Sequence, residues 1–185
     1  MTIVDPKTTA LVLIDIQQGI LPLPLTPLTS EELASQGKKL AEQFRAAGAP
    51  VVLVNVSWSP DFGDALMQPV DAPMQFEGGL PANFDALAPG LAQEGDIFIT
   101  KRQWGAFTGT ELDLQLRRRG IKTVVIGGVS TNMGVESTAR HAYELNYAVI
   151  IAKQATTGMD QELHDMAMNK LFPLFTRVAD SISFE

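Results

Sequence analysis

The chain has 185 residues and a mass of 20.0 kDa, 45% hydrophobic and 19% charged, which suits one globular domain over residues 1–185 and excludes a disordered or fibrous chain. With 14 Lys and Arg against 21 Asp and Glu the net charge is -7, so nucleic acid is repelled and is not an expected partner; zero cysteines exclude disulfides, thiolate metal sites and cysteine nucleophiles. No apolar run nears the roughly 18 residues of a membrane span, and the N-terminus MTIVDPKTT has no basic-then-apolar leader pattern, so the expectation is a cytoplasmic protein with no membrane partner.

The first apolar run, Thr9 to Ile16, is a near-continuous buried strand interrupted by Asp15, with Gln17 just beyond. The stretch Ile20 to Leu28 is apolar and proline-rich and is a candidate contact or lid segment. Thr29 to Gly48 reads as a helix, with Leu33, Leu40, Phe44 and Ala47 at helical spacing, a Thr29/Glu32 capping box and Gly48 as stop. A second strand, Pro50 to Val56, leads into Ser57 and Trp58.

From Ser57 to Gly95 the rhythm breaks into a long Pro-, Gly-, Asp- and Ala-rich excursion, with short helices expected and Trp58, Phe62, Phe76 and Phe84 scattered through it. A third strand, Asp96 to Thr100, ends at Lys101. Thr108 to Gly120 reads as a helix with a Thr108/Glu111 capping box, and Arg117, Arg118 and Arg119 oppose the dipole's negative end. The strand Lys122 to Val129 runs through Gly127 and Gly128 into Ser130, Thr131 and Asn132, where a helix begins that reaches Leu145. The strand Tyr147 to Ala152, a helix from Asp160 to Phe172 and a last strand, Leu174 to Ala179, complete the alternation; Met159, Met166 and Met168 are packing residues. The pattern predicts an α/β fold: a three-layer, doubly wound, Rossmann-like sandwich around six mainly parallel strands.

In such a sheet the ligand crevice lies beyond the carboxyl ends of the strands. Asp15, Asn55, Lys101 and the segment Gly127 to Glu136 converge there. A carboxylate inside an apolar strand needs a partner, and Lys101 is the candidate; the pair suits either a structural ion pair or a catalytic one. Glycines and helix-start amides after Gly128 can bind an anion or oxyanion. No Walker loop, GxGxxG or GxSxG occurs, His141 and His164 have no metal-ligand spacing, and no cofactor or metal is expected. Ser130 and Ser137 stay open as nucleophiles.

Three motifs in order, Leu11-Val-Leu-Ile-Asp15-Ile-Gln17, Lys101-Arg-Gln-Trp-Gly-Ala-Phe107-Thr-Gly-Thr110-Glu-Leu112 and Gly128-Val-Ser-Thr-Asn-Met-Gly-Val-Glu-Ser-Thr-Ala-Arg140, resemble the isochorismatase-like hydrolase superfamily. The resemblance implies catalytic roles for Asp15 and Lys101, a non-proline cis peptide between Val129 and Ser130, a small-molecule substrate and a homo-oligomer, dimer or tetramer. Where most such hydrolases carry the nucleophilic cysteine, this chain has Gly134, which closes an acyl-enzyme route there. Nor does Ser57 to Asp64 hold the histidine of the metal-binding relatives.

What the resemblance leaves is a branch without the thiol. There a protonated Asp15 would donate to a vinyl ether, or Asp15 would activate water, with amides around Met133 and Gly134 as an oxyanion site. Gln17, Trp58, Trp104, Phe107, Ser130, Thr131, Asn132 and Met133 are the expected substrate-binding residues. Between residues 46 and 100 there is no Lys or Arg, so a dianion would depend on Lys101, Arg102, Arg140 or a neighbouring subunit. The alternative is a catalytically silent relative that binds a small molecule or partner.

Overall fold

A computed structural model describes residues 1–73 and 79–185; Phe76 lies outside the described residues. The elements in chain order are β1 (Thr2–Val4), β2 (Thr9–Ile14), α1 (Ser30–Ala46), β3 (Val51–Val56), β4 (Ile97–Lys101), α2 (Leu112–Arg118), β5 (Thr123–Gly128), α3 (Glu136–Glu144), β6 (Ala148–Thr156), α4 (Gln161–Met166), β7 (Arg177–Ala179) and β8 (Ile182–Phe184). Six strands form one sheet in the order β4-β3-β2-β5-β6-β7, every pair parallel. The expected three-layer α/β sandwich is the observed one.

Two apolar faces explain the layers. Val12, Ile14, Val54, Ile99 and Ile126 pack with residues of α2 and α3, while Leu11, Leu13, Leu53, Val125 and Ile150 pack with Leu33, Leu40 and Phe44 of α1. Strands covered on both sides need no polar alternation, which is why their sequences are almost uniformly apolar. The chain leaves β2 toward β3 and β4 on one side and resumes with β5, β6 and β7 on the other, so strand order reverses between β2 and β5. Crevices form at such switch points.

Local signals hold unevenly. The Thr29 capping box forms, with Thr29 Oγ1 accepting from the Glu32 amide and Glu32 accepting from the Thr29 amide. The Thr108/Glu111 box does not: α2 starts only at Leu112, because Gly109 takes φ of 67° and breaks the turn, and Thr110 Oγ1 accepts from the Leu112 amide instead. The helix expected from Asn132 opens as a single π-helical turn, Thr131–Val135, before α3. Likewise α4 continues as a π-helical turn, Ala167–Leu171, and a 3-10 turn, Phe172–Leu174.

Two corrections concern strands and one the excursion. Strand β6 extends to Thr156, past the polar Lys153 and Gln154 that mimic a strand end. The short β1 and β8 pair in parallel and tie the termini together, a three-residue match too brief to carry periodicity. The described residues of the excursion 57–95 contain neither helix nor strand; they are held by turns and an isolated bridge between Gln17 and Leu87. Among the described residues no helix is long and apolar enough to cross a membrane.

Candidate active site

Asp15 follows the last residue of β2 and Gly134 follows β5, so both lie at the switch point. Asp15 has φ of 53°, a left-handed turn that swings its carboxyl away from the strand, and its amide donates to the Val54 carbonyl at 2.9 Å. Lys101, the last residue of β4, reaches across the end of β3 and donates to Asp15 Oδ2 at 2.7 Å. Both side chains are buried: Asp15 is 6% exposed and Lys101 2%.

Burial is the larger influence on this carboxyl. It pushes Asp15 up from 3.8 to about 6, against the opposing pull of the Lys101 ammonium and its hydrogen bond. Asp15 Oδ1 is buried without a hydrogen-bond partner among the described residues. One oxygen is thus committed to lysine and the other is not.

Gly134 sits in the π-helical turn and is buried. A Cβ built on it would lie 3.4 Å from Asp15 Oδ2, 3.5 Å from the Trp104 carbonyl oxygen and 3.0 Å from Ile14 Cγ2. Residue 134 therefore faces the carboxyl directly. Thr138 fixes this approach, because its hydroxyl donates to the Gly134 carbonyl at 2.6 Å and accepts from the Ala106 amide at 3.1 Å. The peptide between Val129 and Ser130 is cis, as the resemblance implied.

The remaining expected residues divide. Trp104 is 51% exposed at the edge of this group, and Asn132 and Met133 are half-buried beside it in sequence. Trp58 is half-buried, donates its indole N–H to the Arg102 carbonyl at 2.7 Å and lies against Phe62 and Phe84. Ser130 Oγ donates to Asn132 Oδ1 at 3.1 Å, and the Met133 amide donates to the Ser130 carbonyl at 3.1 Å, so that amide is already engaged within the turn.

Three of the expected contact residues make structural contacts. Gln17 is fully buried; its side chain donates to the Val56 and Phe84 carbonyls at 3.0 and 2.8 Å and accepts from the Val56 amide at 2.8 Å. It staples the excursion to β3 and has no N–H left for a ligand. Thr131 is fully buried and its hydroxyl meets His164 Nδ1 at 2.7 Å. Phe107 packs into the core with its ring 5.9 Å from Tyr147. We expect Gln17→Leu to lower unfolding free energy by about 3 kcal/mol or more, since it strands several buried backbone groups at roughly 1 to 3 kcal/mol each; urea denaturation measures it.

His164 and Thr138 were missed as site-building residues. Nothing in a single sequence signals that a histidine in α4, 33 positions away, anchors Thr131. Burial lowers the His164 pKa and so favours the neutral ring, in which Nδ1 is able to accept from the Thr131 hydroxyl. The arginines also differ from expectation. Arg102 pairs with Asp64 at 2.7 Å and donates to the Ser57 carbonyl, while Arg140 pairs with Glu136 at 2.9 Å and lies over the Phe175 ring. Each is paired with an acidic neighbour.

The chain is thus a doubly wound α/β domain with a buried carboxyl–ammonium pair at its switch point. The model of the Isochorismatase domain matches residues 9–183, and the chain belongs to that family. It is 51% identical over 175 residues to the isochorismatase family protein YecD of Escherichia coli O157:H7, covering 94% of this chain and 93% of that protein. The similarity to ureidoacrylate amidohydrolase RutB of Pseudomonas syringae pv. syringae is 30% over 188 residues, covering 88% and 76%. An isochorismatase family protein from Burkholderia thailandensis superposes with a TM-score of 0.91 at 43% identity, covering 97% and 94%.

Proposed function

We propose that this isochorismatase-family hydrolase works without a thiol, using the Asp15 carboxyl as acid and base and Lys101 as its electrostatic partner, on a small substrate of low negative charge. The observation that carries the reading is the state of Asp15. Its carboxyl is buried against Gly134, one oxygen is held by Lys101, and its pKa stands at about 6, close to where a proton both leaves and returns readily. Gly134 is then the position from which the family's usual nucleophile is missing, in a chain with no cysteine anywhere.

Two reactions suit such a group. With a vinyl ether, Asp15 gives its proton to the terminal carbon, and the oxocarbenium ion formed takes up water, whose proton returns to the carboxylate. The hemiketal then collapses, its C–O bond breaking as the departing alcohol oxygen is protonated and the carbonyl forms. With an amide or ester, the carboxylate takes a proton from water as oxygen bonds to the carbonyl carbon, then passes it to the leaving group as that bond breaks. The roughly 30% identity to proteins named ureidoacrylate amidohydrolase supports including ureido and simple amides among the substrates. Low substrate charge is supported by the pairing of the cations the sequence offered: Lys101 is paired with Asp15, Arg102 with Asp64 and Arg140 with Glu136. A dicarboxylate would have to break one of those pairs.

The test is a panel in which pyruvate release from isochorismate and ammonia release from neutral amides and ureido acids are followed with the native protein and with Asp15→Asn. We expect turnover of one class that Asp15→Asn reduces at least about a thousandfold, the scale of losing a general acid and base together. Turnover insensitive to Asp15→Asn removes the mechanism. No turnover anywhere, with substrate analogues still binding, assigns the chain instead to the silent members of its family.

A further inference from the structure

We propose that His164 is a positioning residue of the Asp15 site: through the Thr131 hydroxyl it holds the turn bearing Gly134 against the Asp15 carboxyl and so shields that carboxyl from bulk water. The inference rests on the hydrolase reading above and deepens it. Thr131 opens the π-helical turn, and each of its polar groups is fastened to a different element. Its amide donates to the carbonyl of Thr157, just beyond β6, at 3.0 Å; its carbonyl accepts from the Glu136 amide at the start of α3; its hydroxyl meets His164 Nδ1 in α4 at 2.7 Å. Among the described residues that last contact is the one hydrogen bond between α4 and the turn.

Which side donates follows from the hydrogens available. The Thr131 hydroxyl has one hydrogen and, among the described residues, one partner, and the residue is fully buried. Were Nδ1 the donor, that hydrogen would be stranded away from water. Thr131 therefore donates and Nδ1 accepts, which places the ring proton of neutral His164 on Nε2. Nε2 has no protein partner, yet Asp15 Oδ1 is the one fully buried side-chain nitrogen or oxygen without a partner among the described residues, so the Nε2 proton reaches solvent. This tautomer leaves both ring nitrogens and the hydroxyl satisfied.

The consequence for the chemistry runs through the turn. A Cβ built on Gly134 would stand 3.4 Å from Asp15 Oδ2, so the turn lies directly against the carboxyl, whose other oxygen is buried without a partner. A carboxyl enclosed in this way holds its proton more tightly than one in water, because its charged form loses hydration. Whatever keeps the turn in place therefore sets how readily Asp15 gives and regains a proton. His164 holds the first residue of the turn and Thr138 holds the Gly134 carbonyl, so the two ends are fastened separately.

Three variants test the assignment. Thr131→Val removes the hydroxyl at nearly constant volume, His164→Leu removes the acceptor, and His164→Asn returns an acceptor oxygen at the branch position of Nδ1. In carbon-13 titrations of labelled aspartate, Asp15 is expected to titrate about one unit below its wild-type value of about 6 in Thr131→Val and His164→Leu, and close to that value in His164→Asn. On whichever substrate the panel identifies, kcat should fall about tenfold to a hundredfold in the first two variants, the cost of misplacing a reacting group, with KM changed little. The double variant should lose no more than either single one, since both remove the same bond. Nitrogen-15 NMR of labelled histidine is expected to find neutral His164 protonated at Nε2.

Each readout can overturn the inference. Neutral His164 protonated at Nδ1, an Asp15 titration unchanged in Thr131→Val, or losses that add in the double variant would each reject it; Thr131→Val decides the matter should His164→Leu fail to fold. Titration and tautomer need no substrate. Absence of Asp15-dependent turnover on every substrate would reject the hydrolase reading instead, and those two measurements would still decide the role of His164.

Discussion

Replacing Lys101 with methionine is expected to move the titration of Asp15 from about 6 upward by roughly one to three units, the usual effect of removing an opposite charge at hydrogen-bond distance. Both influences that hold the wild-type value down come from Lys101, so what remains in the variant is burial alone. The sign of the accompanying stability change is determined. A carboxyl whose folded pKa is raised contributes stability that is complete below its unfolded pKa, near 3.8, and lost as pH rises through the folded pKa, about 6. The wild-type loss across that window is on the order of 3 kcal/mol.

In Lys101→Met the window widens at its upper end. The two proteins should therefore show a constant stability difference at pH 5 and below, then diverge above pH 6, with the variant losing more. Urea unfolding at half-unit intervals from pH 4 to 9 and carbon-13 titration of Asp15 measure the same quantity by independent routes. A variant whose Asp15 titrates unchanged would mean that Lys101 does not set the proton affinity of the carboxyl, and its proposed electrostatic role would go with it.

Gly128→Ala is expected to abolish folding or cost more than about 4 kcal/mol, in the range reserved for strain at a special backbone position and overpacking. Gly128 has φ of 119°, and a Cβ there would stand 2.0 Å from the Ile14 carbonyl oxygen and 2.6 Å from its nitrogen. Both offending atoms are backbone of Ile14, the last residue of β2, so neither can rotate away. The close approach of β5 to β2 is thus what brings the turn bearing Gly134 up to the Asp15 carboxyl.

A control separates this contact from the general cost of replacing glycine. Gly120 also has positive φ, 70°, but among the described residues nothing lies within 4 Å of its Cβ position. Gly120→Ala should cost only about 1 to 2 kcal/mol, the left-handed penalty of a residue with a Cβ. Equal losses in the two variants, read from urea midpoints, would show that φ alone matters and that the packing of β5 on β2 at this point does not.

The alternation of strands and helices was legible because strands covered on both faces are written as short apolar runs, and the Thr29 capping box because its donors and acceptors lie within four residues. Asp15 stood out for a related reason: a carboxylate inside an apolar run requires a partner, and the partner expected, Lys101, is the one that pairs with it. The Thr108 box failed because Gly109 overrode it locally, and β1 and β8 escaped notice because a three-residue pairing between the termini has no internal period.

What the sequence by itself determined, then, is the alternation of strands and helices, the family motifs and an acid placed inside an apolar run, since each is encoded in adjacent or periodically spaced residues. Only the tertiary structure decided the rest. It gave Gln17, Thr131 and Phe107 buried structural contacts, matched Arg102 and Arg140 to their own acidic neighbours, and added His164 and Thr138 to the scaffold of the Gly134 turn. It also settled the contest at Asp15, where burial outweighs the lysine. Desolvation and hydrogen-bond partnership depend on atoms brought together from 33 to 86 residues apart, and no local pattern in the chain reports those distances.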